Sequence, residues 1–293
     1  MPDPAQHDLA EFESLESAPD IRLIATDMDG TLLDEEKVIH DEFWPLIDQL
    51  HARGVTFCPA SGRQYYSLRR QFDEIADELV FIAENGAYVV NGADGNEISA
   101  DCLPLSQAQE LVVAARGVPH TGAVLCGKKS AYVESTEEPF LSEVRPYYAR
   151  LELVDDLLAI TDDEILKVAI YDSVSAERNV GAALADYRES VQVVVSGAHW
   201  LDLMSPAANK GNGLRRVQAL LGVTPAQTLV FGDFLNDAEM MDAAEYSFAM
   251  ANAHPDLLAR ARYRAPANTA NGVVRTIRTV LRMAPGPGVP DGR

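Results

Sequence analysis

Cysteine is scarce: Cys58, Cys102 and Cys126 are the only three in 293 residues. An odd number without metal-type spacing supports neither a disulfide framework nor a zinc site, and points to reduced thiols in a cytoplasmic protein. Basic residues are few as well, 24 Lys plus Arg against 45 Asp plus Glu, for a formal charge of −21. Such a surface repels nucleic-acid phosphates and anionic membranes, so neither is expected as a partner. No apolar run reaches the length of a membrane span. The opening MPDPAQHDLAEFESLESAPD has no charged-then-apolar pattern, so export is not expected.

What is present is ordinary for a folded protein: 47% hydrophobic residues and 24% charged ones. The length exceeds one minimal core and predicts two domains, or one domain with a large insertion.

Residues 1–20 read as a flexible acidic arm and 284–293 as a disordered tail. Between them, Ile21–Thr26 (IRLIAT) is an apolar, strand-forming run. Phe43, Leu46, Ile47 and Leu50 then form the stripe of an amphipathic helix ending near Gly54. Val55–Cys58 and Leu79–Ala83 read as further buried strands, and strand–helix–strand order predicts right-handed crossovers and a parallel sheet. The same grammar returns late in the chain. A helix over 210–221 turns Leu214, Val217, Leu220 and Leu221 inward, with Gly222 as its cap. Thr228–Phe231 is a strand, 237–244 a short helix, Ser247–Met250 a last strand, and 272–282 a helix burying Val273, Val274, Ile277, Val280 and Leu281. Between roughly 90 and 200 the pattern differs, with β-rich pieces at Ala123–Leu125, Ala131–Val133, Leu166–Tyr171 and Val191–Val195 and helices near 106–116, 137–148 and 176–187. This predicts an α+β insertion.

Four short motifs carry chemistry. Asp27-Met28-Asp29-Gly30-Thr31 follows the first strand, and carboxylates two apart in extended chain face one side, where Gly30 permits a sharp turn. Asp-x-Asp-Gly also opens calcium loops, but Leu32, Leu33 and Lys37 stand where further ligands would fall. Ser61-Gly62-Arg63 opens a helix, where a hydroxyl and free backbone N–H groups suit a phosphate oxygen, or where Ser61 is a plain N-cap. Asn209-Lys210-Gly211 also opens a helix, a place where the dipole disfavours lysine; an exposed surface lysine is the bland alternative. Gly232-Asp233-Phe234-Leu235-Asn236-Asp237 follows the strand TLVF and offers oxygen ligands for a hard cation, or an N-cap at Asp237. All four are expected at carboxyl ends of one parallel sheet, where open α/β sheets bind ligands. Carboxylates and a phosphate sharing a pocket need compensation by a divalent cation and Lys210.

The quartet DMDGT, SGR, NKG and GDFLND, in that order, resembles the haloacid dehalogenase superfamily of phosphotransferases. The insertion between the second and third motifs, with Glu84-Asn85-Gly86-Ala87 before it, is similar to the class IIB cap of the Cof-type sugar-phosphate phosphatases. The resemblance implies an α/β fold: a Rossmann-like core over 21–88 and 201–283 with a parallel central sheet, and an inserted α+β cap of the C2B type over 89–200. It implies that Asp27 is the nucleophile that becomes an aspartyl phosphate, and that Asp29 is the general acid and then base. Ser61, Gly62, Lys210 and Asn236 would hold phosphate oxygens. Mg2+ would sit on Asp27, Asp29 (through its backbone carbonyl) and Asp233, supported by Asp237. The implied activity is hydrolysis of small phosphate monoesters, sugar phosphates first, by a monomer or homodimer. The alternatives are a phosphomutase of the phosphomannomutase type and a non-catalytic phospho-ligand-binding protein. In the insertion, Lys128, Lys129, His120, Lys167, His199 and Trp200 are candidates to read the leaving group. Each has a bland counterpart: Lys128-Lys129 as a hairpin turn, Lys167 facing solvent, His199 and Trp200 as packing.

Overall fold

The computed structural model describes residue 12 and residues 17–284. The strands in chain order are β1 (Leu23–Thr26), β2 (Thr56–Pro59), β3 (Val80–Ala83), β4 (Tyr88–Asn91), β5 (Glu97–Ala100), β6 (Thr121–Gly127), β7 (Ala131–Val133), β8 (Leu151–Leu153), β9 (Ile165–Asp172), β10 (Gln192–Gly197), β11 (Trp200–Met204), β12 (Thr228–Gly232), β13 (Tyr246–Met250) and β14 (Tyr263–Ala265). The α-helices of five or more residues are α1 (Phe43–Ala52), α2 (Tyr65–Gln71), α3 (Leu105–Arg116), α4 (Glu138–Val144), α5 (Lys210–Leu221), α6 (Ala238–Asp242), α7 (Pro255–Arg260) and α8 (Gly272–Val280). Contacts divide the chain into one unit of 1–61, 77–80 and 210–293 and a second of 62–76 and 81–209.

The first unit is built on a five-stranded sheet of order β14-β13-β12-β1-β2, parallel throughout. Every residue of β1 is buried, as a strand covered on both faces requires. Each fully buried Leu or Ile there contributes about 1.5–3 kcal/mol. The stripe Phe43, Leu46, Ile47 and Leu50 of α1 is buried as expected, and Gly54 follows in the left-handed region at φ +70°. The face Val273, Val274, Ile277, Val280 and Leu281 is likewise buried. α5 departs at its end: Leu214 and Val217 are buried, but Leu220 and Leu221 are 56% and 38% exposed. The inward face runs instead through Lys210, Gly211, Gly213, Leu214, Val217 and Gln218.

Three further departures concern the sheets and the arm. The sheet does not stop at β13, because α7 and the three-residue edge strand β14 follow it. β3 pairs outside the parallel sheet, in a three-stranded sheet of order β3-β4-β5. Phe12, inside the stretch expected to be a solvated arm, is only 3% exposed, its ring 4.9 Å from that of Tyr263 and 5.8 Å from that of Phe248. The rest of 1–16 and all of 285–293 lie outside the described residues.

The second unit holds a six-stranded sheet of order β10-β11-β9-β6-β7-β8, antiparallel except for β7–β8. Alternation along β9 supplies two cores. Val168 and Ile170 join a cluster with Ala108, Leu111, Val112 and Ala115 of α3, while Ala169 joins one with Phe140 and Val144 of α4. The expected insertion, 89–200, falls wholly inside this unit. The helix expected over 176–187 is broken into a π turn at Ala176–Val180, one α turn and a 3₁₀ turn at Ala185–Glu189.

Candidate active site

The order β12-β1-β2 makes the space beside β1 a topological switch point, since the chain moves to one side through β2 and to the other through β12. Asp27 follows β1 and Asp233 follows β12, so both carboxylates stand at the carboxyl ends of adjacent strands. The backbone register is continued by Asp27 N donating to Phe231 O at 3.0 Å. Gly30 has φ +80°, and a Cβ there would lie 2.4 Å from Asp233 Oδ2. Glycine thus serves both the turn and the close approach of the second carboxylate. Thr31 Oγ1 donates to Asp233 Oδ1 at 2.9 Å and fixes that side chain.

Lys210 is fully buried at the first position of α5. Its Nζ donates to Asp27 Oδ1 at 2.5 Å and to Asp237 Oδ1 at 2.6 Å. Gly211 allows α5 to press against α6, for a Cβ there would meet Glu239 O at 2.3 Å. Asp237 precedes α6, and its Oδ2 accepts from the backbone N–H of Asp233 at 3.0 Å and of Phe234 at 3.2 Å. The expected N-cap at Asp237 is not formed, for its side chain makes no capping bond to α6 and instead accepts from the amides of the turn before it. The surface-lysine alternative for Lys210 is excluded by its burial.

The electrostatics follow from three carboxylates around one ammonium. Asp27, Asp233 and Asp237 each offer an oxygen within 4.8 Å of the others. Burial pushes Asp27 well above the ordinary carboxylate range; Lys210 opposes this, and Asp237 and Asp233 reinforce it. Burial, then Asp237, raises Asp233 to about 6. Burial works against the Lys210 charge, but Asp237 and Asp27 outweigh it and hold the ammonium above its usual value. The group carries negative charge that Lys210 alone does not balance, on hard oxygen donors. That set fits a divalent cation such as Mg2+.

The remaining expected residues are placed less centrally. Asp29 is directed to Lys37, whose Nζ is 2.9 Å from Asp29 Oδ1, in a pair with side chains 58% and 37% exposed. Ser61 is buried just beyond β2, and Asn236 is half-buried in the 3₁₀ turn Leu235–Asp237. Gly62 begins the second unit, where its carbonyl accepts from Lys167 Nζ at 2.9 Å. The Asn209-Lys210-Gly211 motif follows β11, a strand of the second unit's sheet, so three of the four motifs rather than all four follow strands of the parallel sheet.

Sequence reasoning missed Thr31, Lys37 and a buried cluster in the second unit. Lys167 does not face solvent: it is 3% exposed, 2.8 Å from Glu84 Oε2 and 3.5 Å from Asp202 Oδ2. Asn85 Nδ2 donates to the same Asp202 oxygen at 3.0 Å. Glu84, Asn85 and Gly86 all have positive φ, 50°, 54° and 92°, a left-handed run that delivers two polar side chains inward. Lys128 is paired with Glu97 and Glu164 at 2.7 and 2.9 Å, Lys129 lies against Asp162, and Trp200 packs on the rings of Tyr147 and Tyr171. His199 Nδ1 is 2.7 Å from Asp172 O. None of the three cysteines forms a disulfide.

A parallel sheet with buried carboxylates and a buried lysine at its switch point defines an α/β enzyme whose centre suits a cation and an anion together. The chain belongs to the haloacid dehalogenase-like hydrolases, whose family model matches residues 24–277. It is 38% identical over 268 residues to the 5-amino-6-(5-phospho-D-ribitylamino)uracil phosphatase YbjI of Escherichia coli K12, covering 89% of this chain and 97% of that protein. Among solved structures it resembles SMU.1108c from Streptococcus mutans UA159, 27% identical with a TM-score of 0.81 over 89% of this chain and 99% of that one. It also shares the fold of the subclass IIB sugar phosphatase BT4131, with a TM-score of 0.76 at 19% identity over 88% of this chain and 98% of that one. No helix among the described residues is long and apolar enough to cross a membrane.

Proposed function

We propose that this protein is a Mg2+-dependent phosphatase that hydrolyses small phosphate monoesters through an aspartyl phosphate on Asp27. The observation that carries this reading is the fully buried Lys210 bridging Asp27 and Asp237 beside Asp233. The proposed core is 21–88 with 201–283, and 89–200 is the proposed cap. The Escherichia coli relative is named for a substrate whose phosphate sits on a ribityl chain, which supports phosphorylated sugars and polyols as the first substrates to test.

Asp27 Oδ attacks phosphorus while Lys210 withdraws charge from the phosphoryl oxygens, with Ser61, Gly62 and Asn236 as further donors. Asp29 protonates the leaving oxygen, then takes the proton of the water that hydrolyses the acyl phosphate. To do so its carboxylate exchanges Lys37 for the leaving oxygen; an exposed ion pair is worth about 0–1 kcal/mol, so the exchange is cheap. Mg2+ would be held by Asp27, Asp233 and the Asp29 carbonyl, and would neutralise charge developing on the phosphoryl group. Asp237 has one oxygen on Lys210 and the other on two amides, which suits support better than ligation.

The test is inorganic phosphate release from a panel of sugar phosphates, nucleotides, pyridoxal phosphate and flavin mononucleotide, with Mg2+ and with chelator. Release that requires Mg2+ is expected, and release undiminished by chelator overturns the metal assignment. Asp29→Asn is expected to slow turnover of an ester with a poor leaving group by about 10²–10⁴-fold, the worth of a general acid–base. An unaltered rate contradicts that role.

A further inference from the structure

The second unit contains an open pocket of about 420 Å³ whose walls include Tyr65, Tyr66, Tyr88, Arg69, Arg70 and Arg150, with Asp73 the one acidic residue lining it. Three guanidinium groups at one pocket are notable in a chain with 24 basic residues against 45 acidic ones. Some arginines elsewhere are neutralised by a carboxylate: Arg116 pairs with Asp156 at 2.6 Å and Arg145 with Glu138 at 2.5 Å. Arg150 instead lies over the Tyr66 ring, its Cζ 3.5 Å from the centroid. Among the described residues neither Arg70 nor Arg150 has a carboxylate at ion-pair distance.

The arrangement is held by buried polar groups. Gln64, 2% exposed, grips the backbone of Arg150 with both ends of its amide, Nε2 donating to Arg150 O and Oε1 accepting from Arg150 N, each at 2.9 Å. One turn on, Ser67 Oγ donates to Tyr147 O and accepts from Ala149 N, each at 2.8 Å. Tyr66 OH donates to Lys128 O at 3.0 Å, and the rings of Tyr65 and Tyr88 meet edge-on at 5.9 Å. Gln64 just before α2 and Ser67 within it thus hold the backbone that carries Arg150, eighty or more residues away in sequence.

We propose that this pocket binds a nucleotide-like anion, a planar aromatic base carrying a phosphate or diphosphate. Planar guanidinium forks match phosphate oxygens in a bidentate way. Tyrosine rings and the Arg150 plane offer faces on which a base stacks, and Asp73 accepts from an amino or hydroxyl group. The volume suits a ligand of that size. The net charge of the chain turns away a nucleic-acid polymer, leaving a free small molecule as the occupant. None of Asp27, Lys210, Asp233 or Asp237 lines the pocket, so the inference stands apart from the proposed reaction.

The test is calorimetric titration of the full chain with ADP in the presence of chelator, compared with adenosine and with pyrophosphate. ADP is expected to bind, and each half-ligand to bind at least about tenfold more weakly. Arg70→Ala and Arg150→Ala are each expected to weaken ADP by about tenfold or more, the cost of losing a charge-assisted pair. Arg150→Lys, which keeps the charge and loses the plane, should weaken it as well. Phosphate release by these variants should match the wild type. No binding of ADP at millimolar concentration, or binding that survives both alanine variants, overturns the proposal. If Arg150→Ala does not fold by circular dichroism, the exposed Arg70 decides the question alone.

Discussion

Asp27→Asn should abolish phosphate release while leaving the fold at least as stable as before. The amide is nearly isosteric with the carboxylate but cannot form an acyl phosphate, and loss of a covalent nucleophile typically costs about 10⁴–10⁶-fold in turnover. Stability should move the other way. Burial and two neighbouring carboxylates hold Asp27 well above its ordinary range, so its charge is a cost to the folded state near neutral pH. A neutral side chain removes that cost, and Lys210 keeps Asp237 as its partner at 2.6 Å. The check is a rate assay beside a thermal melt. Turnover near wild type would refute the nucleophile, whereas joint loss of activity and of the melting transition would reduce Asp27 to a structural role.

Lys210→Met should produce the largest loss of stability at the site. The side chain is fully buried and, among the described residues, is the cation that pairs with Asp27 and Asp237. Removing one partner of a buried charge set costs about 3–5 kcal/mol, because the carboxylates left behind are desolvated and uncompensated. Denaturant unfolding in chelator should show a fall of that size, and added Mg2+ should recover part of it by binding the folded state. Phosphate release should fall as well, since the charge on the transferring group loses its protein donor. A variant as stable as the wild type in chelator would mean that the carboxylates are protonated in the native protein.

Much of this was legible from sequence because the informative signals are local. The stripe of α1, the buried strand β1 and the apolar face of α8 are set by spacing alone, and all are observed. The two carboxylates of Asp27-Met28-Asp29 and the lysine opening α5 are likewise visible as residue types at element ends. What escaped depends on distant partners. β3 (VFIA) is buried at every position and would read the same in either sheet. β14 has three residues and no periodicity to detect. Lys167 sits in ILKVAIYD, where alternation alone suggests an exposed face, and its burial is explained by Glu84 and Asp202, far from it in the chain. Leu220 and Leu221 fit a helical stripe, yet the stripe is used by Gln218, whose amide reaches Thr228 Oγ1 and Ala243 O at 2.9 Å each.

The Lys167 cluster also sets how this protein can be cut. Its members come from four separate stretches, Gly62, Glu84 with Asn85, Lys167 and Asp202. A fragment running from 89 to 200 would keep the buried ammonium and discard every one of those partners. Excision or grafting of the inserted module therefore has to carry both flanks along, because the seam that looks natural in the sequence runs through a buried ion network rather than around it.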